Sequence, residues 1–283
     1  MANYISDFEK SQWVVYTPVR VNRTGMNKKV ERCPFCPGSE IDTPPEVYRV
    51  GEGESNKPGW KVRVIPNLFP ITDLHEVVIH SPDHSRNIED LTHGEVQEIL
   101  KTYVNRFNFL KSQGKVFIFC NQSIASGASL AHPHSQITII PNNIPTKTLV
   151  AQPVVNIIEQ NDSFVSYCPN FSEWPYESAV QPRRPACRQA GCDEADFGNI
   201  TERQISDLAS ILQSMLVRLK KAHHLSPHYA KKPFAYNFYI YPYDSWYLRI
   251  IPRFSERAGF ELAAGIMVNS VNPKQAAEEL RKH

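Results

Sequence analysis

The spacing of apolar residues predicts the same order of strands and helices twice along the chain. In the first half, apolar stretches predict strands at residues 61–66, 76–80, 115–120 and 136–141. A helix is predicted between the second and third strands, opened by Leu91-Thr92, because apolar side chains recur there with the 3.6-residue helical period. Its apolar positions are Val96, Ile99, Leu100, Tyr103, Val104 and Phe107.

The second half repeats this order. Strands are predicted at residues 163–168, 177–182, 235–241 and 246–252. A long helix is predicted from Thr201-Glu202, where Thr201 and Gln204 have the spacing of a capping box, and a further helix is predicted from Pro273. The apolar positions of the long helix are Ile205, Leu208, Ile211, Leu212, Met215, Leu216 and Leu219.

Repeated hairpin-plus-helix units usually pair their strands antiparallel, so this pattern predicts an α+β fold. We expect an N-terminal half at residues 1–150 and a C-terminal half at residues 151–283. The sequence QITIIP at 136–141 matches YLRIIP at 247–252, but His-Pro-His precedes only the first copy. The first half is therefore expected to be catalytic and the second supportive.

Composition and charge narrow the class of protein. The 283 residues can bury a full core in one large domain or two modest ones. A net charge of +2 and a pI near 8.2 argue against a nucleic-acid-binding stripe or a membrane-binding face. With no apolar run long enough to span a bilayer and no visible secretory signal, we expect a soluble cytoplasmic protein. Its six unevenly spaced cysteines are expected to be reduced thiols.

The most informative stretch is NQSIASGASLAHPHSQ at residues 121–136. On a strand, His132, His134 and Gln136 would point to the same face, because side chains alternate. The small residues at 126–129 would let the backbone approach a ligand closely. An imidazole that attacks phosphorus, with an amide and loop donors holding the oxygens, suits phosphate chemistry. The alternative is a strand with two incidental histidines.

The CxxC motif of Cys33 and Cys36 predicts a metal-binding knuckle. The Pro-Gly pair that follows disfavours the helix that redox-active CxxC pairs normally open. Two thiolates need two more ligands for a closed zinc site, and the candidates are His75, His80, His84, His93, His132 and His134. His84 lies in a turn after a predicted strand, and His132 could complete the set while His134 serves chemistry. A pair of buried thiols is the alternative. The other cysteines are expected to pack as small apolar groups: Cys120, Cys168, Cys187 and Cys192.

Together these motifs resemble the galactose-1-phosphate uridylyltransferase family, the nucleotidylyltransferase branch of the histidine-triad superfamily, over nearly the whole chain. The matching stretches are WVVYTPVRVNR at 13–23, CPFCPGSE at 33–40, TPPEVYR at 43–49, VRVIPNLFP at 62–70, HEVVIHSPDHS at 75–85, HPHSQ at 132–136 and AGFELAAGI at 258–266. The resemblance implies two fused histidine-triad-like motifs that share a largely antiparallel sheet with helices packed on it. It also implies a homodimer.

The resemblance implies a role for each matching residue. Zinc would be bound by Cys33, Cys36, His84 and His132. His134 would be the nucleophile that becomes nucleotidylated, and Gln136 would bind the phosphoryl oxygens. The substrate-binding positions would be Asn121, Gly127 and Ser129 for phosphates, Arg20 and Arg23 for sugar or nucleotide phosphates, Asn67 and Phe69 for the nucleoside, and Glu261 for hexose hydroxyls.

The implied activity is ping-pong transfer of a UMP group between a UDP-sugar and a hexose 1-phosphate, as in galactose metabolism. Its partners would be a nucleotide sugar and a sugar 1-phosphate or inorganic phosphate. His134 would attack the α-phosphorus, and the second substrate would attack the phosphohistidine. We expect a backbone carbonyl to accept a hydrogen bond from the other nitrogen of His134 and to orient it. Gln136 and the amides of residues 127–129 are expected to stabilise charge on the phosphoryl oxygens.

Three departures from the family pattern bear on substrate and metal. Leu68 stands where an acidic residue is usual between the equivalents of Asn67 and Phe69. Ser245 and Tyr247 replace a pair of histidines, which argues against a second metal site. The segment after Glu261 lacks the usual glutamine. Like SGAS at 126–129, that segment resembles the adenylyl-transferring sugar-nucleotide phosphorylases, so ADP-sugar phosphorolysis is an alternative.

Two further functions stay open at this point. Dinucleoside polyphosphates could be the substrate, with water or phosphate as the acceptor. Histidine-triad hydrolases usually carry a third histidine at the position of Gln136, so this sequence favours transfer over hydrolysis. The non-enzymatic alternative is a zinc-stabilised nucleotide-binding module, because the histidines of the second half are missing.

Overall fold

The computed structural model describes residues 2–7, 9, 12–22, 32–146, 151–183, 196–241 and 246–283. The strands β1 to β12 are, in chain order, Asn3–Ser6, Trp13–Tyr16, Tyr48–Gly51, Trp60–Pro66, His75–Ile79, Lys115–Gln122, His134–Ile140, Ile157–Gln160, Phe164–Tyr167, Ser178–Pro182, Tyr236–Tyr241 and Tyr247–Pro252. The helices α1 to α4 are His93–Leu110, Glu202–Leu225, Gly259–Ala264 and Pro273–Leu280.

Strands β3 to β12 form one antiparallel sheet in the order β3-β4-β5-β7-β6-β11-β12-β10-β9-β8. This order is symmetric about the β6–β11 pair, since β3 to β7 with α1 are arranged as β8 to β12 with α2. The repeat expected from the sequence is therefore present, and the predicted α+β fold of two histidine-triad-like motifs on a shared sheet is confirmed. The boundary between residues 150 and 151 stays a prediction.

One face of this sheet is covered by α1 and α2. Val116, Ile118 and Cys120 of β6 lie in the main core with the apolar positions of both helices, as do Ile137 and Ile139 of β7. Because side chains alternate along a strand, the residues between them point to the opposite face. That opposite face carries polar side chains of the candidate site, among them Asn121, His134, Gln136 and Asn237.

Strand β7 begins at His134, so the prediction that His132, His134 and Gln136 share one strand is wrong for His132. The reason is Pro133, which has no N–H to donate to the ladder. The last ladder partner is Ile79 opposite His134, and beyond it the His80 N–H donates to the Pro133 carbonyl at 3.2 Å. His132 therefore lies in the loop before the strand.

The long helix α2 starts as its sequence predicts. The Thr201 side chain accepts from the Gln204 N–H at 3.2 Å, and the Gln204 side chain accepts from the Thr201 N–H at 2.8 Å. All of the apolar positions predicted for this helix are buried, at Ile205, Leu208, Ile211, Leu212, Met215, Leu216 and Leu219. The capping box thus fixes the start of a helix whose apolar face lies in the core.

Alanine in place of Thr201 is expected to lower the free energy of unfolding by about 1 kcal/mol, because the Gln204 N–H loses its acceptor. Serine at the same position keeps the acceptor and serves as the control. Chemical denaturation of the three proteins measures the effect. Equal stability of the alanine and serine variants would contradict the assigned cap.

The described helices include none that is both long enough and apolar enough to cross a membrane. Four cysteines are described, and each is a free thiol. Cys120 and Cys168 are buried in the main core, as predicted. Cys187 and Cys192 lie outside the described residues.

Candidate active site and metal centre

Cys33, Cys36, His84 and His132 converge, although they come from three separate parts of the chain. Their ligand atoms all lie within 4.8 Å of one another. Cys36 Sγ lies 3.3 Å from His84 Nδ1 and 3.6 Å from His132 Nδ1, and Cys33 Sγ lies 3.9 Å from His132 Nδ1. Zinc bonds of about 2.3 Å to sulfur and about 2.0–2.1 Å to nitrogen give tetrahedral edges of about 3.3–3.8 Å. The cluster can therefore bind a metal ion with little movement.

Local structure positions three of these side chains, those of Cys33, Cys36 and His132. A tight turn, with the Cys36 N–H donating to the Cys33 carbonyl at 3.2 Å, brings the two thiols to one side. Phe35, between them, packs against the sheet in a small second core that includes Trp60. His132 Nε2 lies 2.9 Å from the Ser81 carbonyl, which can only accept. That nitrogen therefore carries the hydrogen, and Nδ1 presents its lone pair to the thiols.

The protonation chemistry of the cluster also favours a cation. Burial lowers the pKa of His132 to about 4, so its imidazole is neutral and able to coordinate a metal. Burial, and to a smaller degree the neighbouring Cys36, raises the pKa of the Cys33 thiol to about 11. A thiolate at Cys33 therefore needs a nearby positive charge, which a bound metal ion would provide.

The remaining candidate metal ligands have other contacts. His80 Nε2 lies 3.2 Å from the hydroxyl of Tyr103, and burial lowers the pKa of His80 to about 3. His93 Nε2 contacts the hydroxyl of Ser206 at 3.0 Å. His75 contacts Gln136 and Ile71. The structure thus brings only His84 and His132 of the described candidates to the two cysteines.

His134 lies at the start of β7, next to the cluster of cysteines and histidines but outside it. Its Nδ1 lies 2.8 Å from the carbonyl oxygen of His132, so Nδ1 donates and the lone pair of the ring is on Nε2. The Phe35 ring packs edge-on against the imidazole, with 5.3 Å between centroids. The hydrogen bond to a backbone carbonyl that the sequence led us to expect is present. The nucleophilic role of His134 stays a prediction.

A shallow pocket opens beside His134. It lies where β6 ends and β7 begins, and its lining includes Asn121, Ser123, Leu130 and His134. Asn87 also lines it, although nothing in the sequence singled that residue out. The structure therefore brings Asn121 to His134, and the role of Asn121 in binding phosphate stays a prediction.

Gln136 lies one pleat further along the same face of β7. Its Oε1 lies 3.0 Å from His75 Nε2. Asn67 Nδ2 also lies near that imidazole nitrogen, at 3.2 Å, and Asn67 Oδ1 accepts from the Phe69 N–H at 2.8 Å. Arg20 donates to the Phe69 carbonyl at 2.8 Å. Gln136 is thus hydrogen-bonded to His75, and His75 lies next to the segment that the resemblance assigns to the nucleoside.

The turn at residues 123–128 uses two of its backbone donors internally. The Gly127 N–H donates to the Ile124 carbonyl at 2.9 Å, and the Ala128 N–H donates to the Ser123 carbonyl at 3.2 Å. The sequence led us to expect these amides to face phosphate oxygens, and in this conformation they do not. Gly127 has a φ of +92°, a conformation that favours glycine, so it shapes the turn that precedes Ser129.

Glu261 is not among the residues that line this pocket. Glu261 accepts a hydrogen bond from the Ala258 N–H at 3.0 Å and caps the short helix α3. Arg23 lies outside the described residues, as does Ser245.

The second half of the sheet carries no copy of the site among the residues described. Strand β12 is the equivalent of β7 in this half. On β12, Arg249 forms an ion pair with Glu177 at 2.7 Å, and Tyr247 lies on the same face of the sheet as Arg249. The described ranges contain one cluster of three or more residues suited to metal binding, the cluster of Cys33, Cys36, His84 and His132. The described part of the second half is thus consistent with a supportive role.

Comparison with known proteins points to one family. A sequence model of the N-terminal domain of galactose-1-phosphate uridyl transferase matches residues 73–139. The ADP-glucose phosphorylase of Arabidopsis thaliana is 27% identical over 96% of this chain and 90% of that protein. The galactose-1-phosphate uridylyltransferase of Thermotoga maritima is 21% identical over 96% of this chain and 95% of that protein.

The fold comparison agrees. A crystal structure of an Arabidopsis thaliana ADP-glucose phosphorylase with bound ADP-glucose superposes with a TM-score of 0.74 at 26% identity, covering 100% of this chain and 99% of that one. A uridylyltransferase structure superposes with a TM-score of 0.75 at 19% identity and shows the same fold. In sequence and in fold, the chain is thus similar to the galactose-1-phosphate uridylyltransferase family of the histidine-triad superfamily.

Proposed function

We propose that this protein is a nucleotidyltransferase that moves a nucleoside monophosphate from a nucleotide sugar to a second phosphate by way of His134. The observation that carries the proposal is the 2.8 Å hydrogen bond from His134 Nδ1 to the His132 carbonyl. It leaves the reactive lone pair on Nε2 and fixes the ring beside the pocket. A histidine held in one tautomer at the edge of a pocket suits nucleophilic attack on phosphorus.

In the first half-reaction, His134 Nε2 attacks the α-phosphorus of the nucleotide sugar. A phosphorus–nitrogen bond forms, and the bond from that phosphorus to the bridging oxygen breaks. The electron pair of the broken bond leaves with the β-phosphate, so sugar 1-phosphate departs. The Nδ1–H to carbonyl hydrogen bond supports the positive charge that the imidazole gains on attack.

In the second half-reaction, an oxygen of the acceptor phosphate attacks the same phosphorus and the phosphorus–nitrogen bond breaks. His134 regains its lone pair, and the product contains a new phosphoanhydride. Gln136 and Asn121 lie on the same face of adjacent strands and would donate to the non-bridging oxygens in both steps. Loss of one such donor typically costs about 2.7–4 kcal/mol of transition-state stabilisation.

The proposed metal is zinc, bound by Cys33, Cys36, His84 and His132. Two sulfur and two nitrogen donors with no further ligand form a closed structural site, so zinc would supply a cross-link rather than an open coordination position. By fixing His132, the site would also fix the carbonyl that orients His134. His134 itself remains outside the ligand set.

For the nucleotide, we infer that an ADP-sugar with inorganic phosphate as acceptor is the first candidate. The ADP-glucose phosphorylase has higher identity over nearly the whole chain than the Thermotoga maritima uridylyltransferase, 27% against 21%. Transfer of UMP between a UDP-sugar and hexose 1-phosphate is the second candidate, supported by the family model at residues 73–139. Leu68, where uridylyltransferases usually carry an acidic residue, also favours the first candidate.

The remaining roles belong to the same proposal. Asn67 and Phe69 would contact the nucleoside, and Arg20 would hold that segment through its bond to the Phe69 carbonyl. Ser129 would contact phosphate, and Glu261 would bind hexose hydroxyls in a homodimer. Arg23 would contact sugar or nucleotide phosphates. The site would act in the cytoplasm.

Isotope exchange tests this function. The protein is incubated with unlabelled ADP-glucose or UDP-glucose and with labelled glucose 1-phosphate, without any other acceptor. A covalent transferase is expected to move the label into one of the nucleotide sugars, because the first half-reaction is reversible. Nucleotide and sugar 1-phosphate formed without exchange would indicate a hydrolase. Binding without exchange or turnover would indicate a nucleotide-binding module, and either result would overturn the proposal.

A further inference from the structure

Four polar residues lie in a row across four neighbouring strands, on the sheet face opposite the helices. The order of these strands is β5-β7-β6-β11, and the residues are His75, Gln136, Asn121 and Asn237. Asn121 and Asn237 are direct cross-strand partners, whereas His75 and Gln136 are diagonal neighbours, since Val77 is opposite Gln136. The two inner strands thus carry the proposed phosphate-binding amides, and each outer strand adds one side chain beside them.

The backbone fixes the tautomer of His75. The Ile71 N–H donates to His75 Nδ1 at 3.0 Å, so Nδ1 carries no hydrogen and the neutral ring has its hydrogen on Nε2. His75 Nε2 therefore donates to Gln136 Oε1 at 3.0 Å. Asn67 Nδ2, at 3.2 Å from the same nitrogen, cannot donate to it and is only a polar neighbour. His75 is 4% exposed, so water does not compete freely for this bond.

This bond decides which way the Gln136 amide faces. An amide has an accepting oxygen and a donating nitrogen, and rotation by half a turn exchanges them. With Oε1 held by His75, the NH₂ group is the end left to meet a ligand. The reversed amide would place two donors against each other at His75 and would present an oxygen to the anionic phosphoryl group.

Asn237 fixes the second amide in the same way. Its Nδ2 lies 3.0 Å from the Ser126 carbonyl, which can only accept, so the nitrogen is assigned without ambiguity. The same Nδ2 donates to Asn121 Oδ1 at 2.7 Å. The Asn121 NH₂ group is then the end that can face the pocket it lines.

We propose that His75 and Asn237 are positioning residues that orient the amides of Gln136 and Asn121, so that both present N–H donors to the transferring phosphoryl group. The proposal rests on the proposed function and goes beyond it, because neither residue contacts the substrate in that mechanism. Donors oriented before substrate arrives need no reorganisation in the transition state. Losing either orienting bond is expected to lower kcat about 10-fold, the order expected for one net hydrogen bond, with little change in KM.

Two conservative variants at residue 75 separate orientation from folding. In His75→Asn, the side-chain oxygen can still accept from the Ile71 N–H but cannot reach Gln136. In His75→Gln, the longer amide can donate to Gln136 Oε1 but no longer accepts a hydrogen bond from the Ile71 N–H. We expect the melting temperature of His75→Asn to equal that of the unaltered protein and its kcat to be about 10-fold lower. For His75→Gln, we expect an unchanged kcat and a lower melting temperature.

Double-mutant cycles complete the test. If His75 acts through Gln136, His75→Asn should have no further effect on kcat in a Gln136→Ala background. Asn237→Ala should likewise have no further effect in an Asn121→Ala background. The proposal would be overturned if the losses in kcat of the two single variants of a cycle added up in the double variant. It would also be overturned if kcat and the melting temperature fell together in both His75 variants. Absence of exchange in the unaltered protein would instead refute the proposed function, so the two failures are distinguishable.

Discussion

Alanine in place of His134 is expected to abolish nucleotidyl transfer while the protein stays folded and keeps its metal. The loss in kcat should be about 10⁶-fold, the order of loss measured when a covalent nucleophile is removed. Gln136 and Asn121 would still bind the phosphoryl group, but no atom at the site could form the covalent bond. Steady-state turnover and isotope exchange should fall together, because both depend on the same phosphorus–nitrogen bond.

The matched control is His93→Ala, which removes an imidazole from the first turn of α1, where it contacts Ser206 rather than the pocket. That variant is expected to retain turnover. Metal content of the His134 variant should equal that of the unaltered protein, since His134 is outside the cluster of possible ligands. Normal turnover in His134→Ala would refute the mechanism.

Serine in place of Cys36 has the second large expected effect, the loss of bound metal together with several kcal/mol of unfolding free energy. Cys36 Sγ lies within 3.6 Å of both histidine ligands, so its removal leaves an incomplete set. Structural zinc contributes about 10–16 kcal/mol in zinc-finger peptides, and part of that would be lost here. Elemental analysis and denaturation measure the two effects.

The control for this prediction is Cys168→Ala, which removes a buried thiol in the main core away from the cluster. It should lower stability modestly through the small cavity it leaves and should retain the full metal content. A Cys36→Ser protein that keeps one metal ion per chain would show that the cluster is not the metal site.

Local sequence signals account for the parts of the fold that were predicted well. Helix α2 was predicted because a capping box and a long apolar period coincide at Thr201, and both features act within a few residues. The two halves of the sheet were predicted because the same strand-helix pattern occurs twice. The alternation of side chains alone places His132 on β7, whereas Pro133 ends the strand pairing before that residue.

Contacts between distant strands account for what the sequence did not reveal. The sequence suggests His75 only as a metal ligand, because its contact with Gln136 depends on the register of β5 against β7. No local signal marks Asn237, because its pairing with Asn121 forms only where the two halves meet at β6 and β11. Sequence periodicity gives the face of a strand but not the partner across it.

The expected backbone donors of the small-residue turn show a related difficulty. A run of small residues permits close backbone approach, but it does not state where each N–H points. In the structure, the N–H groups of Gly127 and Ala128 close the turn itself. The side-chain amides of Asn121 and Gln136 are therefore the donors proposed to bind the phosphoryl oxygens.

The most direct test of the central claim is the intact mass of the protein after brief incubation with ADP-glucose or UDP-glucose, without acceptor, under conditions that preserve phosphohistidine. The account predicts that one adenylyl or uridylyl group is added to the unaltered protein and that none is added to His134→Ala. Release of sugar 1-phosphate with no change in protein mass would contradict it, as would an adduct that persists when residue 134 is alanine.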